Sequence, residues 1–380
     1  MKSKTMKNLT IICVAAFLLA LIACVGLVIY LVTSKPENND IEDKNTISSL
    51  NVEVEQIDGS YNFLVLGYDN TMKSIDQNVG LTDVIVLVNI DLNNKSLTIT
   101  QFPRDTYVSS DVPVHKINAT YETYYLKEVK NGISDSEARL KATKMFADDL
   151  EKALGINIKY YAVMNLDGFG KIVDEIGGVE VDVQADLVYT DEAQDLYINL
   201  RKGPQVLDGD KAIQFVRYRS GYALADLGRG NAQKIFLASL LKKIKGSSIS
   251  TLSGVAEQVI SYTSTNITVE DLVYFARSVI GDIELSNMKL YTVPGDAYPP
   301  NIGTSYIIQR NELLNIVFEH YNTWGLTRTA FESDFDKNHY FVDESQADFT
   351  AIYNSTGKPA FDFKYDAQTI IDESIYIPMT

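Results

Sequence analysis

The sequence DVIVLV, at residues 83–88, is an apolar run with a single charged residue at its start. A similar run, YNFLVL, precedes it at residues 61–66, and LTITQF follows it at residues 97–102 after a polar turn at residues 91–95. Near-continuous apolar strands of this kind are typical of a sheet that is covered on both faces. The three runs therefore predict neighbouring strands inside a layered domain.

The rest of the chain alternates helix and strand patterns. Apolar residues at helical spacing predict helices at residues 137–154, 169–176, 231–245 and 309–321, and strand patterns occupy residues 160–164, 179–183 and 288–293. This alternation indicates an α/β fold, namely a three-layer αβα domain with a central mixed sheet. Between residues 265 and 278, Thr268 and Asp271 have the spacing of a helix capping box.

The amino-terminal segment predicts a membrane anchor. Residues 9–32 form an uncharged apolar run that exceeds the roughly 20 residues a helix needs to cross a bilayer. Signal-peptide cores are shorter and precede a cleavage site of small residues, so cleavage is the less favoured interpretation. Three lysines precede the run and only Lys35 follows it closely, which favours a cytoplasmic amino terminus.

These features predict the organisation of a single-pass cell-membrane protein. We expect residues 1–8 in the cytoplasm, a transmembrane helix at residues 9–32 and a polar stalk at residues 33–58. An extracellular folded domain would follow at residues 59–322. Residues 323–380 would form a C-terminal appendage that rests on the domain or contacts a polymer outside the cell.

Charge and cysteine content exclude some classes of function. The chain of 380 residues has a formal net charge of -16, which argues against general nucleic-acid binding because that needs a basic surface. Both cysteines, Cys13 and Cys24, lie in the first apolar run. A cysteine-free domain suits an exported protein without structural disulfides, although a cytosolic protein would have the same composition.

The segment KAIQFVRYRSGYALADLGRGNAQK, at residues 211–234, gathers positive charge in this acidic chain. Arg217 and Arg219 are two residues apart beside an apolar run, so on an extended strand they share one face. Arg229 and Gln233 have the spacing of one helix face. Because arginine binds phosphate through a planar pair of donors, the segment predicts an anion site. An exposed strand edge with surface salt bridges is an equally favoured alternative.

Polar side chains also stand at the ends of the predicted strands. Asp69 follows the first strand, Asp83 opens the second, and Arg104, Asp105 and Lys116 come after the third. Ligands of open α/β sheets bind beyond the strand ends, so we expect several of these residues to meet in one crevice. Two carboxylates without histidine or cysteine suit Mg²⁺, which commonly bridges protein to a substrate phosphate. A turn-forming role is the alternative for each aspartate taken alone.

Several motifs resemble signatures of the LytR–CpsA–Psr family, whose domain is also called the cell-envelope-related transcriptional attenuator domain. They occur in order between residues 62 and 322, and the predicted anchor and stalk also match the family pattern. The motifs are GYD at residues 67–69, TDVIVLVNID at 82–91, FPRDTYV at 102–108, KINATY at 116–121, YYAVMNLDGFGKIVDEIGGVEVDV at 160–183, LDGDKAIQFVRYR at 207–219 and DLGRGNAQ at 226–233.

The resemblance implies a phosphotransferase at the outer face of the membrane. Such a protein moves a glycopolymer (teichoic acid, capsule or another wall polysaccharide) from undecaprenyl pyrophosphate to a peptidoglycan hydroxyl, forming a phosphodiester bond. Asp69 and Asp83 would bind Mg²⁺, or Mn²⁺ in its place, and the isoprenoid would lie in an apolar tunnel. The pyrophosphate-binding residues would be Arg104, Lys116, Arg217, Arg219, Asp226, Arg229 and Gln233. The catalytic residues would be Arg104, Arg217, Arg219, Asp83 and Asp105.

Two positions depart from the family pattern. Family members often have arginine where this chain has Leu81 and Ala232. The loss of two cations would weaken pyrophosphate binding or change the preferred acceptor. A pyrophosphate hydrolase and a noncatalytic protein that binds or regulates lipid intermediates are the alternatives to a transferase.

Overall fold

The computed structural model describes residues 59–68, 81–109, 112, 115–192, 196–218, 226–268, 271, 274–275, 282–297, 305–337, 339–341 and 365–366. The predicted anchor and stalk lie outside these residues. Within the described ranges, no helix is both long enough and apolar enough to cross a bilayer. Membrane anchoring and the predicted domain boundaries therefore stay predictions.

Within the described residues, the strands form one large sheet and three small antiparallel pairs. Their bounds are β1 Ser60–Tyr68, β2 Thr82–Asp91, β3 Ser96–Gln101, β4 Tyr160–Asn165, β5 Val179–Val183, β6 Leu187–Asp191, β7 Leu196–Leu200, β8 Gly203–Leu207, β9 Thr263–Thr265, β10 Met288–Thr292, β11 Gly295–Ala297, β12 Tyr306–Ile308 and β13 Tyr365–Asp366. The small pairs are β5 with β8, β6 with β7, and β11 with β12.

The large sheet has the strand order β13-β10-β3-β2-β1-β4-β9. β1 is antiparallel to β2, with Val65 opposite Val86, and parallel to β4, with Val65 opposite Ala162. β2 and β3 are antiparallel, whereas β3 and β10 are parallel. The predicted central mixed sheet is therefore confirmed.

Helices occupy most of the segments between the strands. Their bounds are α1 Thr120–Lys130, α2 Asp135–Leu154, α3 Leu166–Glu175, α4 Gly209–Arg217, α5 Asp226–Lys245, α6 Ile249–Tyr262, α7 Arg310–Tyr321 and α8 Arg328–Asp334. α2 ends at Gly155, whose φ of 66° is a left-handed conformation that glycine adopts without strain. The predicted capping box is confirmed, because Thr268 Oγ1 accepts from the Asp271 N–H and Asp271 Oδ2 accepts from the Thr268 N–H, both at 3.1 Å.

Apolar side chains cover both faces of the sheet. On the first face, Phe63 of β1 belongs to a buried cluster that includes Phe215 of α4 and other residues of α3, α5 and α6. On the second face, Leu64 packs in a cluster with Phe146 of α2 and with residues of α1, α7 and α8. Alternate residues of β1 thus face opposite layers. The arrangement is the predicted three-layer αβα domain.

Part of the predicted appendage packs on the second face of this domain. Phe331 of α8, together with Phe335 and Phe341, is buried in the second cluster. β13 pairs with β10 at the edge of the sheet. The described residues beyond residue 322 therefore contribute to the core of the domain.

Candidate active site

A buried ion pair lies where β2 begins and β3 ends. Asp83 is the second residue of β2, and Arg104 follows β3 after Phe102 and Pro103. Arg104 Nη1 donates to Asp83 Oδ1 at 2.6 Å, and the two residues are only 7% and 8% exposed. Because β2 and β3 are antiparallel neighbours, the start of one strand meets the end of the other. The sheet therefore brings these two predicted site residues together.

Asp105 extends the ion pair into a chain of alternating charges. Its Oδ2 atom lies 3.7 Å from Arg104 Nε, and its Oδ1 atom accepts from Lys116 Nζ at 2.7 Å. Alternating signs offset the cost of burying each charge, and each side chain orients its neighbour. We refer to Asp83, Arg104, Asp105 and Lys116 as the charged cluster. The structure thus brings these four of the predicted residues together at the strand ends.

The loop of residues 102–109, which we name the charge-bearing loop, is held by backbone hydrogen bonds from other segments. Tyr306 of β12 accepts from the Tyr107 N–H at 2.8 Å and donates to the Asp105 carbonyl at 2.8 Å. The Ile117 N–H donates to a further loop carbonyl at 2.9 Å. These contacts hold the backbone on which two of the clustered charges stand.

Arg217 lies at the end of a helix, and the prediction of an extended strand at this position is wrong. α4 spans Gly209–Arg217 and begins at Asp208, whose side chain accepts from the Lys211 N–H at 2.9 Å. The apolar residues have helical spacing and are buried on one side, namely Ala212, Phe215 and Val216. A capped start and this spacing favour the helix. Arg217 and Arg219 therefore do not share the face of a strand.

The other predicted anion-binding residues lie partly outside the described chain. α5 begins at Asp226, so Arg229 and Gln233 lie in its first turns, as the spacing predicts. The side chains of these three residues are not described, and neither is any part of Asp69 or Arg219. Their convergence with the charged cluster stays a prediction.

The two positions that depart from the family pattern differ in environment. Ala232 of α5 is fully buried in the cluster on the first face. Leu81 is half-buried and packs against the cluster on the second face. The apolar residue at position 232 is therefore part of the core of this chain.

α4 approaches α3 at two glycines. A Cβ atom at Gly209 would lie 2.2 Å from the carbonyl oxygen of Gly170, a distance that no side chain can occupy. The Gly209 N–H also donates to Asp174 Oδ1 at 2.7 Å. The two helices thus meet backbone to backbone, and this contact sets the position of α4.

A cluster of tyrosines surrounds Arg139 beside the end of β1. Arg139 Cζ lies 4.8 Å from the ring centroid of Tyr68 and 5.0 Å from that of Tyr125. The Tyr125 hydroxyl donates to Asp135 at 2.6 Å, and burial together with this hydrogen bond raises the pKa of Tyr125 to about 12. Sequence reasoning missed this support of the strand end. The helical spacing of Tyr121, Tyr125 and of Asp135, Arg139 is the signal that points to it.

Magnesium binding stays a prediction, for which the described residues supply one of the two expected carboxylates, Asp83. Among the described residues, no three or more His, Cys, Asp or Glu side chains are grouped to hold a metal ion. Asp83 nevertheless places one carboxylate at a strand end, beside cations that suit phosphate. Mg²⁺ is commonly bound through one or two carboxylates, with water and substrate phosphate as its other ligands. The second predicted ligand, Asp69, lies outside the described residues.

A cavity of about 550 Å³ lies between β5, the end of α5 and the start of α6. Its lining includes Glu180, Asp182, Lys242, Lys243 and Ser248, and no member of the charged cluster. Because charged side chains line this cavity, it does not match the predicted isoprenoid tunnel. The tunnel stays a prediction.

The fold and the site define a class of protein: an α/β domain with buried, alternating charges at its strand ends. The sequence profile of the LytR_cpsA_psr family matches residues 26–320. The chain belongs to the LytR_cpsA_psr family.

Curated relatives of this chain have two kinds of name. The polyisoprenyl-teichoic acid–peptidoglycan teichoic acid transferase TagV of Bacillus subtilis is 27% identical over 302 residues, covering 74% of this chain and 72% of the relative. The regulatory protein MsrR of Staphylococcus aureus is 30% identical over 216 residues, covering 55% of this chain and 57% of MsrR. The family thus includes proteins named for an enzymatic activity and proteins named for regulation.

Solved structures share the fold. The crystal structure of B. subtilis TagV has a TM-score of 0.51 and 22% identity, and covers 74% of this chain and 99% of that one. Protein gbs0355 of Streptococcus agalactiae has a TM-score of 0.55 and 19% identity, and covers 83% of this chain and 99% of that one. TagT bound to LI-WTA has a TM-score of 0.50 and 21% identity, and covers 75% of this chain and 94% of that one.

Proposed function

We propose that this chain is a membrane-anchored extracellular phosphotransferase that moves a glycopolymer from a polyprenyl pyrophosphate to peptidoglycan. The observation that carries the proposal is the charged cluster, in which Arg104 and Lys116 are held by Asp83 and Asp105 at the strand ends. Family membership and the transferase name of TagV support it. The apolar run at residues 9–32 would anchor the catalytic domain beside its lipid substrate.

The reaction exchanges one phosphoester bond for another. The oxygen of a peptidoglycan hydroxyl attacks the phosphorus that bears the glycopolymer, and the bond from that phosphorus to the bridging oxygen breaks. Polyprenyl phosphate leaves with the bridging oxygen, and the hydroxyl proton passes to a carboxylate of Asp83 or Asp105. Negative charge gathers on the phosphate oxygens, so fixed cations lower the barrier electrostatically.

The residues of the charged cluster have distinct roles in this proposal. Arg104 binds the pyrophosphate, and its planar donors are oriented by Asp83 before substrate arrives. Asp105 positions Lys116, whose ammonium binds a second phosphate oxygen. Because the cluster is formed in advance, little reorganisation is needed during the reaction.

Further residues complete the substrate site. Arg217, Arg219, Arg229 and Gln233 would bind the pyrophosphate from the end of α4 and the start of α5, with Asp226 orienting the arginines. Mg²⁺ held by Asp69 and Asp83 would balance the charge on the leaving phosphate.

The test uses the full chain in lipid vesicles with a polyprenyl-pyrophosphate-linked teichoic acid, Mg²⁺ and peptidoglycan oligomers. A phosphodiester-linked product supports the proposal. Free phosphate as the sole product identifies a hydrolase instead, and binding without turnover identifies a noncatalytic protein. Omitting Mg²⁺ tests the metal separately.

Matched arginine variants locate the site in the same assay. We expect Arg217→Ala and Arg219→Ala to abolish turnover while circular dichroism stays unchanged. Arg201, whose side chain is 78% exposed and pairs with an exposed aspartate, supplies the control Arg201→Ala. Full activity in both site variants contradicts the assignment of these arginines.

A further inference from the structure

The chain beyond the family match reaches back to the charge-bearing loop. The match ends at residue 320, whereas Phe341 forms an antiparallel bridge with Val108 near the end of that loop. The ring of Phe341 also stacks on Phe102 at the start of the loop, with centroids 6.1 Å apart and planes 14° apart. One residue therefore contacts both ends of the loop that carries Arg104 and Asp105.

Neighbouring residues reinforce this contact. The Ser109 N–H donates to the Tyr340 carbonyl at 2.8 Å, and the Ser109 hydroxyl donates to the His339 carbonyl. Phe102, Val108 and Phe341 are all essentially inaccessible to solvent. Aromatic stacking and backbone pairing therefore act together on the loop.

The segment that carries Phe341 is itself attached to two helices. Asp336 is 2% exposed, its Oδ1 atom accepts from the Phe341 N–H at 3.2 Å, and its own N–H donates to the Ala153 carbonyl of α2 at 2.7 Å. Arg310 of α7 donates to the Phe335 carbonyl at 2.7 Å. These hydrogen bonds therefore connect the segment that carries Phe341 to two helices of the core.

We propose that Phe341 is a positioning residue that sets the place of Arg104 and Asp105 through the charge-bearing loop. This inference rests on the proposed function, because it assigns those two residues to the reacting pyrophosphate. Phe341 touches no member of the charged cluster in the described contacts and acts only through Phe102 and Val108. A small displacement of a positioned charge lowers the rate strongly, by up to about 100-fold for roughly 1 Å.

Hydrogen exchange of the full chain tests whether Phe341 holds the charge-bearing loop, and it requires no activity assay. Phe341→Leu removes the stacking on Phe102 while keeping a buried apolar side chain. The control is Phe331→Leu, since Phe331 is equally buried but packs on Phe318 and Phe335. We expect peptides covering residues 102–109 to exchange about tenfold faster in Phe341→Leu only. Equal exchange in the two variants overturns the inference.

The catalytic consequence is tested by a double-mutant cycle in the vesicle assay. We expect Phe341→Leu to lower kcat/KM at least about tenfold in the wild-type background, and to lower it clearly less in an Arg104→Lys background, where only the displacement of Asp105 still matters. Phe331→Leu should have a small effect that is the same in both. Additive effects of Phe341→Leu and Arg104→Lys overturn the positioning role. If the wild-type protein forms no product, the proposed function fails, and the exchange comparison alone then decides whether Phe341 holds the loop.

Discussion

Replacing Arg104 with leucine removes the cation that lies against two buried carboxylates. Asp83 and Asp105 are each 8% exposed and lie 2.6 and 3.7 Å from the guanidinium. Removing one partner of a buried ion pair costs about 3–5 kcal/mol, because the remaining charge is left uncompensated. Domains of this kind have a free energy of unfolding of about 5–15 kcal/mol, so the loss would be a large share of it.

A second variant, Arg104→Lys, separates the effect on stability from the effect on activity. Arg104→Lys keeps the charge but loses the planar pair of donors, so we expect a stability loss of about 1 kcal/mol and still a strong loss of transfer.

Urea unfolding of the full chain at pH 8, followed by circular dichroism, measures the stability of both Arg104 variants. The vesicle assay then measures transfer in the same preparations. The reasoning is refuted if Arg104→Leu unfolds within about 1 kcal/mol of the wild type at pH 8, or if Arg104→Lys keeps full activity.

Three more predictions address the rest of the domain. Ala232→Arg, which introduces the arginine common in the family, should lower the free energy of unfolding by about 3 kcal/mol or more, because position 232 is fully buried. Leu81→Arg is the control at a half-buried position, and equal melting temperatures of the two variants would contradict this prediction. Gly209→Ala should destabilise by about 1–3 kcal/mol in urea, since its Cβ atom would meet a backbone oxygen, and an unchanged midpoint would argue against the backbone contact. Burial raises the pKa of Asp336, so the folded state holds this proton to a higher pH than the unfolded state. The stability of the wild type relative to Asp336→Asn should therefore fall as the pH rises above about 4, and a pH-independent difference would count against it.

The layered fold could be predicted from the sequence because strands that are buried on both faces consist almost entirely of apolar residues. The runs at residues 61–66 and 83–88 are apolar at nearly every position, since both faces of β1 and β2 are covered. Arg217 shows the limit of such patterns. The apolar run before it is too short for its period to distinguish a strand from a helix, and the cap at Asp208 decides the matter.

The charged cluster was also predictable in part, because strand ends that carry polar residues meet at one edge of a sheet. The support from the C-terminal segment was not. Ser109 and His339 are 230 residues apart, and no local pattern encodes a contact over that separation. In the sequence, Phe341 is indistinguishable from an ordinary core residue, and only the structure shows its two contacts with the charge-bearing loop.

The glycine contact between α3 and α4 has a consequence for how this protein would fail. Arg217 lies about 12 Å along the helix axis from Gly209, where α4 contacts Gly170 of α3. A small tilt of α4 about this contact would therefore become a larger displacement at Arg217. A bulkier residue at Gly209 or Gly170 would tilt α4 and displace the Arg217 guanidinium. Such a lesion would lower transfer if Arg217 binds the pyrophosphate as proposed, although none of the proposed binding residues had changed.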